Sequence, residues 1–275
     1  MQTSRLWDLI LEPEGLRTLF QPIFELKDGQ HQPFAFEALT RGPRDTNIER
    51  SDVLFEYVRR KRGEAEVDML AIASALRQAR GLPEVPGLCL NVHAVTLERE
   101  HRLPLWLAEI AAEYQIPLDR IIIEIVEHAP PWNGPHFLDN LERLRGLGVR
   151  IALDDVGLGQ SNFRMIVDCR PDLLKIDRHF VDGAHADGHR RAVLQSISDL
   201  ANRLGARAVA EGIENDLDLE AVTEAGISLH QGFLLCRPVA SKTLRKMAFL
   251  RQPQPRSEDD DGFEGLTQEL RLVQG

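Results

Sequence analysis

The sequence predicts an α/β protein: a closed (β/α)8 barrel of the TIM type, with its first strand antiparallel to the second. Three observations carry this. Eight strand-like runs are separated along most of the chain by helix-like stretches, and such alternation with short loops is the pattern of a parallel sheet covered by helices. Several of the runs are continuously apolar, as strands buried on both faces are. Acidic and amide residues close one run after another, which gathers them at the end of a barrel where its loops converge. The length of 275 residues suits a single barrel of about 250 residues better than a smaller domain.

The first two runs, Phe20–Leu26 and Pro33–Leu39, are joined by Lys27-Asp28-Gly29-Gln30. An Asp-Gly pair between apolar runs marks a hairpin, so these two strands are expected to be antiparallel. The remaining strands are expected at Leu88–Val92, Ile121–Val126, Val149–Leu153, Leu173–Ile176, Arg207–Ala210 and Ser228–Phe233. Helices are expected between them. Glu64–Arg80 sets Met69, Ile72 and Leu76 on one face, and Arg190–Leu204 sets Val193, Ile197, Leu200 and Leu204 on one face. Phe137, Leu141 and Leu144 form a third stripe, which Gly146 and Gly148 stop. The domain plan is a helical lead-in over 1–15, a barrel over 16–250, and an acidic, mobile tail over 251–275. Two prolines and the run Ser257-Glu258-Asp259-Asp260-Asp261 mark that tail, whose Glu264–Val273 has the spacing of a short amphipathic helix.

Hydrophobic residues make up 43% of the chain, enough for a large core, and the net charge is −10 with a pI near 5.4. An acidic surface is a poor partner for extended nucleic acid. No stretch approaches the ~18 apolar residues of a membrane span, and acids interrupt any signal-peptide core. Cys89, Cys169 and Cys236 are scattered and odd in number, so they are expected to be reduced packing residues in the cytoplasm. His185 and His189 stand four apart, but Ala186-Asp187-Gly188 between them suggests a surface loop rather than a zinc helix. His93, His128 and His230 lie singly near strand ends and are expected to pack or to support neighbours. Among phosphate-binding patterns, no glycine-rich loop is present, nor is there an internal repeat.

The polar strand ends are Glu37, Asn91, Glu124, Asp154 with Asp155, Lys175 with Asp177, and Glu211. A carboxylate beside buried apolar neighbours is costly unless its charge is compensated. Six such ends suggest one polar mouth that holds one or two hard divalent cations through oxygen ligands. Lys175 is a lone cation among these acids.

These residues also fall into an ordered set of motifs. Phe20-Gln21-Pro22-Ile23 precedes Glu37-Ala38-Leu39 with Arg41. Leu90-Asn91-Val92 and Glu124-Ile125-Val126-Glu127 follow, then Asp154-Asp155 with Gly157 and Gly159. Leu174-Lys175-Ile176-Asp177-Arg178, Ala210-Glu211-Gly212-Ile213-Glu214 and Gln231-Gly232-Phe233 complete the series. The set resembles the EAL family of cyclic di-GMP phosphodiesterases over residues 16–245. A lone Glu-Ala-Leu triplet is uninformative, whereas seven blocks in order are specific. The resemblance implies metal-dependent hydrolysis of cyclic di-GMP to linear pGpG, with Mg2+ or Mn2+ as cofactor, two per site. It assigns Glu37, Asn91, Glu124 and Asp154 to the first metal. It puts the second near Asp154, Asp155 and Asp177, and leaves open which of Asp155, Asp177 and Glu211 ligate directly. It casts Lys175, Glu211 and Glu37 as catalytic, with Lys175 beside the attacking water and Glu211 as general base or additional ligand. Arg41 is implied to fork onto a phosphate. Gln21, Glu214 and Gln231 are implied as guanine or ribose contacts, with Asp68 as a weaker one. Leu39 and the mouth residues Glu37, Asn91, Asp155 and Lys175 complete the substrate-binding set, and Glu127 is implied to pin the loop after Asp155.

The chain departs from the family at Val156, Leu158 and Gln160, in a loop thought to couple the metal site to dimerisation. A homodimer through the region beside Gly157–Asn162 is implied. No sensor or cyclase domain is expected, since Leu6–Leu19 is too short, so a regulatory protein partner is one source of input. The competing expectations are a non-catalytic cyclic di-GMP receptor and an unrelated metal-dependent barrel enzyme.

Overall fold

The computed structural model describes residues 2–82, 87–126, 135–158 and 162–247. Strands β1 (Arg17–Lys27), β2 (Gln30–Arg41), β3 (Gly87–His93), β4 (Ile121–Val126), β5 (Arg150–Val156), β6 (Leu173–Ile176), β7 (Arg207–Ala210) and β8 (Leu229–His230) close into a barrel in chain order. From β2 to β8 every neighbour is parallel, while β1 runs antiparallel to both β2 and β8. The expected hairpin is the cause. Asp28 and Gly29 have φ of 51° and 76°, and two successive positive φ values make the tight turn whose twist matches a strand pair.

The helices are α1 (Gln2–Leu11), α2 (Ser51–Lys61), α3 (Glu64–Ala79), α4 (Ala94–Arg99), α5 (Leu103–Tyr114), α6 (Pro135–Gly146), α7 (Asn162–Cys169), α8 (Arg178–Val181), α9 (Gly188–Leu204), α10 (Asp216–Glu224) and α11 (Ser241–Leu244). In α3 and α6 the expected stripes are buried, apart from Met69, which is partly covered. In α9 the stripe is rotated by about one residue. Leu194, Ser198 and Ala201 are buried, and Leu204 is 52% exposed. Small residues let the helix approach the barrel closely, and the larger apolar side chains cover its flanks. The stretch His185–His189 is, as expected, an exposed connection and not one helix, although it carries local structure. A short 3-10 turn at Ala184–Ala186 leads into α9, whose N-cap Asp187 accepts from the His189 and Arg190 amides.

Strand β8 is shorter than Ser228–Phe233. After His230 the chain bends, because Gly232 passes so close to the Ile213 backbone that a Cβ there would lie 2.0 Å from its carbonyl oxygen. The Leu235 and Cys236 amides then bond back to the Gly232 carbonyl.

Apolar clusters pack on both sides of the sheet. Inside the barrel, Ile23, Ala35, Cys89, Ile122, Ala152 and residues from β6 to β8 form a closed apolar floor. Outside it, a larger cluster fills the space between sheet and helices. The lead-in helix α1 packs on this flank: Ile10 is buried with Leu54, Val58 and Val67, and the Trp7 ring lies against Gly63. The tail over 251–275, with Glu264–Val273, lies outside the described residues, as does His128. Among the described residues no helix is long and apolar enough to cross a membrane.

Candidate active site

Strand period two turns alternate residues inward. One step above the apolar floor, that period brings Gln21, Glu37, Asn91, Glu124, Asp154 and Lys175 to the same mouth. Gln21 faces Glu37 directly across the antiparallel pair, and Asn91 sits beside Glu124 in the parallel one. Lys175 is 1% exposed and is the hub. Its Nζ lies 2.6 Å from Glu211, 3.3 Å from Asp154 and 3.5 Å from Glu37, and it also bonds Glu124 Oε1. Glu37 accepts from Asn91 Nδ2 at 3.2 Å and from Gln231 Nε2 at 2.5 Å. Gln231 also reaches Gln21 Oε1 at 3.3 Å, and Gln21 Nε2 donates to the Cys236 carbonyl at 3.0 Å.

Adjacent strand residues normally face opposite sides, yet Asp154 and Asp155 both serve the mouth. The register slips between Leu153 and Val156, and Asp155 adopts φ 51°. This bulge, with a left-handed non-glycine residue, re-aims a side chain at some cost in strain. Asp154, Asp155 and Glu211 thereby offer oxygens within 4.8 Å of one another, as do Glu37, Glu124 and Glu211.

One lysine faces an excess of carboxylates in a dry pocket. Burial drives Glu124 well above the usual carboxylate range, and Glu37, Asp154 and Glu211 add to the shift; Lys175 offsets only part. Burial does the same to Glu211. Asp155 is pushed to about 6 by burial and then by Asp154 and Asp177. Burial also pushes Glu37 up, but Lys175 and the Gln231 and Asn91 amides outweigh it, so Glu37 sits below its ordinary value. For Lys175 burial works against the charge, and the surrounding carboxylates overcome it, holding the ammonium well above its usual range. The fully buried Glu124 Oε2 has no hydrogen-bond partner. An unpartnered carboxylate oxygen amid like charges suits a divalent cation, which replaces protons in compensating charge.

The other predicted residues are distributed around this centre. Asp177 accepts from the His179 amide at 2.7 Å, capping α8, and its side chain also bonds Asp155. Arg41, at the end of β2, donates to Ser51 Oγ at 2.8 Å and to the Thr40 carbonyl, with Leu39 half-buried two residues before it. Glu214 is exposed and pairs with Arg178 at 2.7 Å. Asp68 is turned elsewhere. Its oxygens take the His93 amide at 2.8 Å, His93 Nδ1 at 2.9 Å and the Thr96 hydroxyl at 2.5 Å, which ties α3 to the end of β3. Glu127 lies outside the described residues, as do Gly159 and Gln160. Val156 is buried in β5, and Leu158 is 54% exposed. The Cys236 carbonyl is a participant that residue types did not reveal, because a backbone acceptor has no sequence signature.

The EAL domain family model matches residues 6–238. Cyclic di-GMP phosphodiesterase NbdA of Pseudomonas aeruginosa is 30% identical over 252 residues, covering 88% of this chain and 31% of that protein. Cyclic di-GMP phosphodiesterase RocR of the same organism is 31% identical over 163 residues, covering 59% of this chain and 41% of that protein. The chain thus spans less than half the length of these relatives. Among solved structures, Klebsiella pneumoniae BlrP1 in a calcium/cy-diGMP complex superposes with a TM-score of 0.74 at 27% identity, covering 83% of this chain and 57% of that one. An EAL domain protein from Listeria monocytogenes shares the fold with a TM-score of 0.76 at 22% identity, covering 89% and 96%.

Proposed function

Because the chain belongs to the EAL domain family, we propose that it hydrolyses cyclic di-GMP to linear pGpG, with two Mg2+ or Mn2+ ions per site. The observation that carries this reading is the ring of carboxylates around buried Lys175, with Glu124 Oε2 unpartnered. Glu37, Asn91, Glu124 and Asp154 would hold one ion, and Asp154, Asp155 and Asp177 the other. Bound divalent cations supply charge neutralisation at phosphate oxygens and an acidified water.

The chain's own residues do the rest. Arg41 offers a planar fork of donors to a phosphate. Gln21, Gln231 and Glu214 position the base or ribose. Gln231 Oε1 is buried without a partner, an acceptor ready for a ligand donor. Lys175, fixed by its carboxylates, points fixed positive charge at the oxygen where negative charge develops. Glu211 takes the proton of the attacking water as its oxygen bonds phosphorus. The bond from phosphorus to the ribose 3′ oxygen breaks, and that oxygen takes a proton from solvent and leaves as a hydroxyl, while Glu211 returns its proton to solvent. Residues 16–250 serve as the catalytic unit, with 1–15 as lead-in and 251–275 as tail.

Chromatography of cyclic di-GMP incubated with the chain and Mg2+ or Mn2+ tests this directly, and pGpG should appear only with metal. Binding without turnover would instead favour a receptor that acts through a partner. The buried cysteine thiols accord with a reducing cytoplasm. A homodimer is part of the same reading. Leu158, Phe163 and Val167 are 54%, 75% and 70% exposed, an apolar face beside the mouth loop that a second copy would cover. Light scattering should give twice the monomer mass, and Phe163→Ser should shift it toward the monomer.

A further inference from the structure

The loop that follows Gln231 carries a pair of side chains with no part in the mechanism above. The Arg237 guanidinium carbon lies 4.4 Å from the centre of the Phe233 ring, where the ring face attracts a cation. Arg237 is exposed and Phe233 half-buried, and among the described residues no carboxylate pairs with Arg237. The segment that carries them is fastened on both sides. The Gln231 amide bonds the Ala210 carbonyl at 2.9 Å, and the Leu234 amide bonds the Ile213 carbonyl at 3.1 Å. The Cys236 carbonyl holds Gln21 Nε2, and Val239 exchanges both backbone bonds with Phe20 at 2.7 and 2.9 Å. Arg237 therefore sits one residue beyond a mouth contact and two before a bridge to β1, at the rim between β8 and β1.

A guanidinium stacked on a ring and mounted on a fastened loop loses little freedom when it binds. Its parallel donors match two acceptors side by side. Guanine offers that pair, O6 and N7, on one edge, whereas adenine puts an amino donor in place of O6. Resting on the cyclic di-GMP reading, we infer that Arg237, braced by Phe233, is a specificity-determining residue that grips the O6/N7 edge of one guanine. A phosphate contact would use the same donors but would be blind to the base.

The test compares cyclic di-GMP with its 7-deazaguanine analogue, which keeps the phosphates and lacks the N7 acceptor. Dissociation constants are measured by calorimetry on the full chain with Ca2+ in place of Mg2+ or Mn2+, the ion of the BlrP1 complex, and the nucleotide is recovered afterwards by chromatography to check that it is intact. The wild-type chain should bind the analogue roughly tenfold to a hundredfold more weakly than cyclic di-GMP. Arg237→Ala should lose that discrimination, and Arg237→Lys, a point charge without the fork, should lose most of it. Phe233→Leu should narrow it by a smaller factor. Circular dichroism melting checks that each variant is folded. If Arg237→Ala keeps the wild-type discrimination, or weakens both ligands equally, the assignment is overturned while the cyclic di-GMP reading stands. A wild-type chain that binds neither dinucleotide overturns both.

Discussion

Two layers of inward-facing side chains fill the barrel, one strand period apart. The lower layer holds Ala35, Cys89, Ile122 and Ala152, and the upper holds Glu37, Asn91, Glu124 and Asp154 directly above them. The pattern continues with Leu173 under Lys175, Val209 under Glu211 and Leu229 under Gln231. On antiparallel β1 the order inverts, so Ile23 lies below Gln21. A step of two residues, about 6.7 Å, separates dry packing from concentrated charge. The backbone geometry is shared, so the difference lies in what each layer contributes. Floor residues stabilise the fold by leaving water, roughly 1.5–3 kcal/mol for each large apolar side chain. Mouth residues cost stability through desolvation and repulsion, and the apolar floor beneath keeps the local dielectric low, where charges act most strongly. The floor holds the barrel shut; the mouth concentrates field.

Paired substitutions one step apart can break this division. The largest effect is expected for Glu37→Ala, which should lower turnover by roughly a thousandfold or more while leaving the melting temperature near wild type. Two residues below Glu124, Ile122→Ala should do the reverse. It should cost about 2–5 kcal/mol in urea unfolding, with turnover per folded molecule retained. If both substitutions abolish activity in a folded chain, the layers are not separable.

A smaller effect should appear in pH dependence. Asp155 has a folded value of about 6, above its unfolded one, so the metal-free folded state binds more protons between about pH 4 and 6. Through this group the metal-free chain should lose stability as pH rises across that window. Added Mn2+ should restore it and expel protons, because ligating carboxylates must be ionised. Apparent metal affinity should therefore rise with pH, and calorimetry in buffers of different ionisation enthalpy counts the protons released. No proton release at pH 6 would mean that the acids are already ionised.

The smallest change concerns the bulge. Asp155→Gly relieves the left-handed strain, so the metal-free chain should gain about 1 kcal/mol. It should also bind metal more weakly, and the two measurements separate strain from ligation.

Much of this was legible in residue order. The eight runs, the Asp28-Gly29 turn and the polar residues that close six of the strands can be read from residue order alone, because period, turn chemistry and buried charge are local properties. Other features were not. The α9 stripe of Val193, Ile197, Leu200 and Leu204 fits a helical period, but Ser198 and Ala201 take the closest approach, since packing distance depends on the partner surface. Asp68 reads as a carboxylate near the mouth, and three donors from His93 and Thr96 turn it into a strut.

Sequence alone determined the chemistry available here: which side chains carry charge, and that each stands at the end of an apolar run. Only tertiary structure decided how they meet. Closure of the sheet brings Gln231 onto Glu37 across 194 residues of chain. One left-handed residue turns Asp155 toward its neighbours, and a single ammonium is surrounded by carboxylates from four strand ends. The physical reason is that charge and period belong to individual residues, whereas stagger, burial and mutual repulsion exist only after the barrel has closed.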